Sequence, residues 1–499
     1  MDENKKKIMV EKHRWPDEIA REKKKRRIGI LIVLACVLCF TGGFFVGGNV
    51  GGSSRTTSSR TQSLSAVESE KFQEIYDILA SDWYFGKDVK DLESYIIDHA
   101  INGIANENDM DTHTEYMDEK SASALLTSLS GSLTGIGIQY YELNDAILVE
   151  KIFIDSPAEK AGMKEGDIIK KVDGVDISKK EINDIKEMII GEEGTKVSVE
   201  VQRGKETLTL DMTRAKVSVT VYGYVKDGIG VLELSSFSDD TAVEVERYLE
   251  AFKEKKVKNV VIDLRDNGGG YVTTAISIAG LFLGPNEIVL YQEDKNGELS
   301  EYATKSSSKQ YKFDNVGIII NENTASASEL LTAALKEHLD AKVVGTKSYG
   351  KGTVQNSISF DDGSIFKYTI AEWLTPTKEK IHKIGIKPDY EVKLNQAMSY
   401  KTSDDEETYK VNQVGDPVKD MQVYLSFLGY DVDRKDGYFS ESTLAAVKRF
   451  QKDNGLTESG EVNAKLVSSA ISAASRKWHD EKDVLDTQMK KALEVVSGK

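Results

Sequence analysis

The sequence predicts a multidomain α+β protein: an N-terminal transmembrane helix, a β-rich domain, an α/β core and a small C-terminal three-helix domain. Three observations predict it. At 499 residues the chain is too long for one hydrophobic core. A charge-free apolar run, 28–46, stands close to the N-terminus. The hydrophobic pattern of the body then changes twice. It passes from β-rich alternation to strands alternating with helices at Val217, and to helical spacing after Asn395.

The N-terminal elements come first. Residues 1–27 hold eleven Lys/Arg and six Asp/Glu, while the whole chain carries −16, so the remainder carries −21. So acidic a body argues against nucleic acid as a partner, because phosphate binding needs a basic face. The basic tail runs into Ile28–Val46, nineteen uncharged residues, about 28 Å of helix against a ~30 Å hydrocarbon core. A cleaved signal peptide has an apolar region of only ~7–15 residues and a small-residue cleavage site. This run is longer and no A-x-A site follows, so 28–50 is expected to be an uncleaved signal anchor in the cell membrane. Positive charge before the span places 1–27 in the cytoplasm and the body outside. Residues 51–65, rich in Gly, Ser and Thr, form a flexible linker. The only cysteines, Cys36 and Cys39, lie within the span, so no disulfide is expected in the exported part. The six histidines are scattered without ligand spacing, so no metal or cofactor is expected.

Residues 66–117 show helical spacing at Phe72, Ile75, Tyr76, Ile78, Leu79 and again at Leu92, Ile96, Ile97, Ile101, Ile104. They are expected to pack on the core, with a homodimer contact as the second reading. Within 118–206, Gly135-Ile136-Gly137-Ile138 opens a β-rich stretch. Ala146–Ile152, Ser156-Pro157-Ala158-x-x-Ala161-Gly162, Gly166-Asp167-Ile168-Ile169, a helix near Lys180–Ile190 and a strand at Lys196–Arg203 follow. This order resembles a PDZ domain. Backbone N–H groups at Gly135, Ile136, Gly137 and Ile138 would cradle a peptide's C-terminal carboxylate, and the next strand edge would take the peptide by β-augmentation.

Residues 207–395 read as an α/β core. Strands are expected at Ile229–Leu234, Val260–Leu264 and Gly317–Ile320, with helices at Asp239–Lys253, Val272–Leu283 and Ser326–His338, and further strands at Asp361–Leu374 and Asp389–Lys393. A polar linker, 396–412, precedes 413–472. There Leu and aromatic residues at helical spacing bracket Gly-containing turns, a pattern similar to the peptidoglycan-binding-like three-helix domain. The tail, 473–499, is expected to be a charged amphipathic helix.

Two core motifs carry chemistry. Arg265-Asp266-Asn267-Gly268-Gly269-Gly270 follows a buried strand; no Lys-Ser/Thr follows it as in a P-loop, which leaves a turn or an oxyanion hole. Ser326 stands at a strand-to-helix junction, where it could be an N-cap or a nucleophile. A nucleophile needs a base. His338 lies about three helical turns away, roughly 18 Å; His382 and Lys351 remain. A lysine serves as base only when neutral, which requires burial or neighbouring positive charge.

Residues 66–395 resemble the carboxy-terminal processing peptidases of serine protease family S41. The match lies in Asp263-Leu264-Arg265-x-Asn267-x-Gly269-Gly270, Thr324-Ala325-Ser326-Ala327-Ser328-Glu329, Gly345 and Tyr349-Gly350-Lys351-Gly352-x-Val354-Gln355. The resemblance implies a Ser-Lys dyad: Ser326 as nucleophile, Lys351 as base, Gln355 holding the lysine amine, and N–H groups of Gly269 and Ala327 as the oxyanion hole. It implies endopeptidase activity on proteins or peptides with accessible C-termini. Asn323 and the segment Asp111–Tyr116 depart from the family pattern. The competing class is a latent or non-catalytic scaffold of the envelope that binds peptides and cell wall.

Overall fold

A computed structural model describes residues 66–498, apart from 108–109, 144–145 and 400–401. The span expected at 28–50, its basic tail and the 51–65 linker lie outside the described residues. Among the described residues no helix is long and apolar enough to cross a membrane.

The described chain opens with α1 (Ala66–Ser81) and α2 (Leu92–Asn106). Asp91 caps α2 by accepting from the Ser94 N–H, a carboxylate placed where the helix end is positive. The expected packing of this region on the core is corrected for α1. Phe72, Ile75 and Ile78 are about half exposed there, and Ile104 of α2 is 75 % exposed. What ties the region down is β1 (Glu115–Met117), antiparallel to core residues Ile365–Lys367, with Tyr116 and Met117 buried. Asp118 then caps α3 (Glu119–Ser130), which ends at a left-handed Gly131.

The β-rich unit comprises β2 (Ser132–Gly135), β3 (Ile138–Leu143), β4 (Ala146–Ile152), α4 (Pro157–Lys160), β5 (Ile168–Val172), β6 (Val175–Asp176), α5 (Ile182–Ile189), β7 (Lys196–Arg203), β8 (Glu206–Thr213) and β9 (Ala215–Ser218). Its main sheet runs β3-β4-β5-β7-β8 with β6 on β5, and β2 pairs with β9. In β7, Val197, Val199 and Val201 face inward while the residues between them stay partly exposed, the alternation of a half-buried strand. Pairing of β8 with β7 and of β9 with β2 carries this unit past residue 206, where the sequence placed its end.

The core contains β10 (Val221–Lys226), β11 (Ile229–Leu234), α6 (Thr241–Glu254), β12 (Asn259–Asp263), α7 (Val272–Leu283), β13 (Ile288–Asp294), β14 (Leu299–Ala303), β15 (Asn315–Ile320), α8 (Ala327–Leu339), β16 (Lys342–Gly345), β17 (Thr353–Ser359), β18 (Ile365–Leu374) and β19 (Tyr390–Glu391). One sheet has the order β10-β11-β12-β15-β16-β19, parallel from β11 to β19. Its central strands are largely apolar because both faces are covered. Val260, Ile262, Ile318, Ile320 and Val343 join the cluster built with α6, α7 and α8, while Val261, Ile319 and Val344 meet Met489, Ala492 and Val496. A second, antiparallel sheet, β1-β18-β13-β14 with β17 also on β18, was not legible in the sequence.

The C-terminal part holds α9 (Gln396–Ser399), α10 (Asp416–Leu428), α11 (Glu441–Asp453), α12 (Ala464–Asp480), α13 (Lys482–Leu485) and α14 (Thr487–Ser497). Helices α10 to α12 share a core of Met421, Leu425, Phe439, Val447, Phe450 and Ala470. The single tail helix expected over 473–499 is corrected: α12 stops at Asp480 and α14 starts afresh at Thr487. The break follows from Asp486. It caps α14 through the Met489 N–H and is drawn to Arg265, whose guanidinium also holds Asp263 at 2.5 Å. The last helix thereby closes the far face of the parallel sheet.

Candidate active site

The site forms where β12 and β15 end side by side. The turn after β15 is stitched to the loop after β12. Thr324 Oγ1 donates to Leu264 O at 2.8 Å, Ser328 Oγ donates to Asn267 O at 2.9 Å, and the Ala325 N–H donates to Asn267 O at 3.0 Å. Those two hydroxyls are committed to the stitching, and Ser326 lies between them. Its backbone has φ 57° and ψ −118°, a conformation rare for a residue with a Cβ. Such strain persists where surrounding contacts over-determine it, and functional sites are where it clusters. The residue is 2 % exposed and precedes the first turn of α8, whose leading N–H groups lack intrahelical acceptors.

Gly269 closes the other wall. Its φ is 109°, and a Cβ there would stand 2.9 Å from Ser326 Cβ and 3.1 Å from Ala327 N, so only glycine fits. In this conformation, however, its N–H is not free to serve as the expected oxyanion donor. The Gly269 N–H donates to Asn267 Oδ1 at 2.9 Å, and Asn267 is itself anchored to Leu234 O. Gly269 shapes the wall while its N–H is engaged inside the loop. The Ala327 N–H stands at the first helical position, beside both.

Lys351 is only 1 % exposed, so it meets the burial requirement. Its loop is fixed by its backbone: Trp373 Nε1 donates to Lys351 O at 3.0 Å, and the Tyr349 N–H donates to Thr324 O at 2.9 Å. The largest contribution was missed by sequence reasoning. The Glu329 carboxylate accepts from Ser326 N at 2.9 Å, Lys351 N at 2.8 Å, Gly350 N at 2.7 Å and Ser348 Oγ at 2.5 Å. One buried side chain thus ties the Ser326 turn to the Lys351 loop. Burial pushes this carboxyl up, and its four donors act against that shift. The signal was present as Ser326-x-x-Glu329, the spacing of a capping box.

Gln355 is buried on β17, and its amide nitrogen donates to Thr353 Oγ1 at 2.7 Å and Thr369 Oγ1 at 3.4 Å. Its Oε1 has no partner. The expected hold on the lysine amine is therefore not made in this conformation. His338 sits at the far end of α8, bonded to Ile288 O. His382 is close: its backbone abuts Gly352, its Nδ1 is buried without a partner, and burial holds it below the ordinary imidazole range. A third histidine, His113, reaches the same region on the segment before β1, its ring centroid 6.5 Å from that of His382. Nothing in the residues around it indicates that it reaches the cleft.

In the β-rich unit, Gly135 ends β2 near the C-terminal end of α5. Ile136 is fully buried, with its carbonyl accepting from the Ala158 N–H. Gly137, at φ 76°, is wedged against Ser156, where a Cβ would lie 2.4 Å from Ser156 Cβ. Ile138 begins β3, the edge strand of its sheet. No group of His, Cys, Asp and Glu side chains able to hold a metal ion occurs among the described residues.

Comparison with known proteins agrees with this architecture. Residues 228–392 match the model of "Peptidase family S41", residues 149–203 that of a "PDZ domain", and residues 414–468 that of a "Putative peptidoglycan binding domain". The chain is 32% identical over 477 residues to the carboxy-terminal processing protease CtpA of Bacillus subtilis (strain 168), covering 95% of this chain and 99% of that protein. It is 34% identical over 418 residues, 83% of each chain, to a "Probable CtpA-like serine protease" of Staphylococcus aureus (strain N315).

Proposed function

The chain belongs to the carboxy-terminal processing proteases of peptidase family S41, and from that premise we propose that it is a membrane-anchored endopeptidase in which Ser326 is the nucleophile and Lys351 its base. One observation carries the reading: a lysine 1 % exposed, on a loop that shares the Glu329 carboxylate with the strained Ser326 turn. A substrate's C-terminal segment adds to the open edge of β3, its carboxylate received at Gly135–Ile138. The chain beyond it enters the cleft between the 268–270 wall and α8. The neutral Lys351 amine takes the Ser326 hydroxyl proton as Oγ attacks the scissile carbonyl. The Ala327 N–H and the positive end of α8 stabilise the oxyanion. Collapse of the tetrahedral intermediate protonates the leaving amine from Lys351 and leaves an acyl-Ser326. Water, deprotonated by the same amine, releases it.

The 28–50 span anchors the enzyme in the cell membrane with its catalytic part outside, and the three-helix unit engages peptidoglycan. The exposed Phe72, Ile75 and Ile78 face of α1 supports a homodimer, which sedimentation of the exported part would reveal. The activity is tested by incubating wild-type protein with an unstructured polypeptide ending in apolar residues. Internal cleavage is expected, lost in Ser326→Ala with folding intact. Undiminished cleavage in that variant overturns the assignment.

A further inference from the structure

The segment 111–117 forms a strap across the base side of the cleft. The Asp111 carboxylate accepts from the His113 N–H at 2.9 Å and from Thr114 Oγ1 at 2.5 Å, closing an Asx-type turn. Thr114 Oγ1 accepts from the Thr369 N–H at 3.1 Å, and Thr369 Oγ1 in turn accepts from the Gln355 amide at 3.4 Å. The strap continues into β1, where Glu115 pairs with Lys367 at 2.8 Å. This docking sets the His113 ring edge-on to His382, and the His382 backbone presses on Gly352, next to Lys351. His382 therefore borders the loop that carries Lys351, and the His113 ring stands beside His382.

We propose that His113 is a positioning residue of the active site: as a neutral imidazole it shuts water out of the Lys351 end of the cleft, so that docking of the 111–117 strap keeps the base unprotonated. This rests on the Ser326–Lys351 reading. The charged and titratable groups whose fields reach His113 are Lys351 from the loop before β17, Lys367 from β18, His382 from the segment after β18, and Asp111 from the strap itself. Burial is the first cause that lowers His113 to about 4; Lys351 adds to it only while protonated, and Asp111 acts the other way. Burial alone therefore favours the neutral imidazole, which adds bulk without charge across the neutral range. The family-variant sequence of this strap and its bond to the shelf beneath Gln355 then have one purpose, the sealing of the lysine.

The test is the pH profile of kcat/KM for the full chain on a polypeptide substrate. In His113→Ala, water reaches Lys351 and the acid limb moves up by about one pH unit, a loss of about tenfold on the limb, with the high-pH plateau kept. His113→Phe, which restores the bulk, returns the limb to its wild-type position. An unmoved limb in His113→Ala overturns the proposal. So does an equal loss at every pH in both variants, which marks a merely structural contact. Labelling by a serine-directed fluorophosphonate at the high-pH plateau separates the two readings. His113→Ala should label there as wild type does, whereas a wild type that labels at no pH overturns the dyad and this proposal with it.

Discussion

The two halves of the catalytic cleft are built differently. On the nucleophile side every named polar group is engaged: Thr324, Ser328, Asn267 and Glu329 all bond across the junction of β12, β15 and the Lys351 loop. On the base side, Gln355 Oε1 and His382 Nδ1 are buried with no partner. Buried polar groups are normally paired, and an unpaired one costs about 1–3 kcal/mol. The difference teaches that Ser326, the proposed nucleophile, is preorganised by backbone and carboxylate, while the Lys351 side keeps hydrogen-bonding capacity in reserve. Substitutions on the first side, and of Lys351 itself, should collapse catalysis; those of the residues around the lysine should tune it.

The largest effect is expected at the dyad. Ser326→Ala and Lys351→Ala should each lower turnover by about 10⁴-fold or more, with near-ultraviolet circular dichroism unchanged. Glu329→Ala removes the acceptor of four bonds. It should lower kcat by about 10²-fold and the melting temperature by several degrees, since each bond to a charged acceptor is worth roughly 1.5–3 kcal/mol. If activity falls while the melting point holds, the carboxylate is not the tie between the two loops. Gln355→Ala removes an orphan acceptor, so stability should hold or rise while kcat drops about tenfold. His382→Ala should change turnover by no more than about threefold, because it lacks any bond to Ser326 that a base would need.

The smallest effect concerns pH. Because His113 is held near 4 in the fold and near its ordinary 6.5 when unfolded, the unfolded chain binds the extra proton between those values. Its contribution to stability is thus complete above about pH 6.5 and is lost as pH falls toward 4. The protection factor of the Thr369 amide, which Thr114 protects, corrected for the intrinsic pH dependence of exchange, should fall across that window in wild type and less so in His113→Phe.

The contrast also explains what could be read from the residues alone. Ser326, Lys351 and the 268–270 glycines were legible because local motifs carry them, and β11 and α7 because mostly apolar runs do. Glu329 was visible only as part of a motif, since a carboxylate three residues into a helix has an ordinary capping reason to be there. His113 was not legible at all. It reaches the cleft through pairing of Glu115–Met117 with Ile365–Lys367, a contact between distant segments that no local period announces. The same holds for α14, whose Met489, Ala492 and Val496 make sense only against Val261, Ile319 and Val344. The tail's break at Asp486 needed Arg265 to explain it.

The most direct measurement is fluorophosphonate labelling of the full chain followed by peptide mapping, in wild type, Ser326→Ala and Lys351→Ala. One modified residue, Ser326, is expected, with no label in Ser326→Ala and labelling slowed by about 10²-fold or more in Lys351→Ala at neutral pH. Modification at another serine, or undiminished labelling without Lys351, would contradict the dyad.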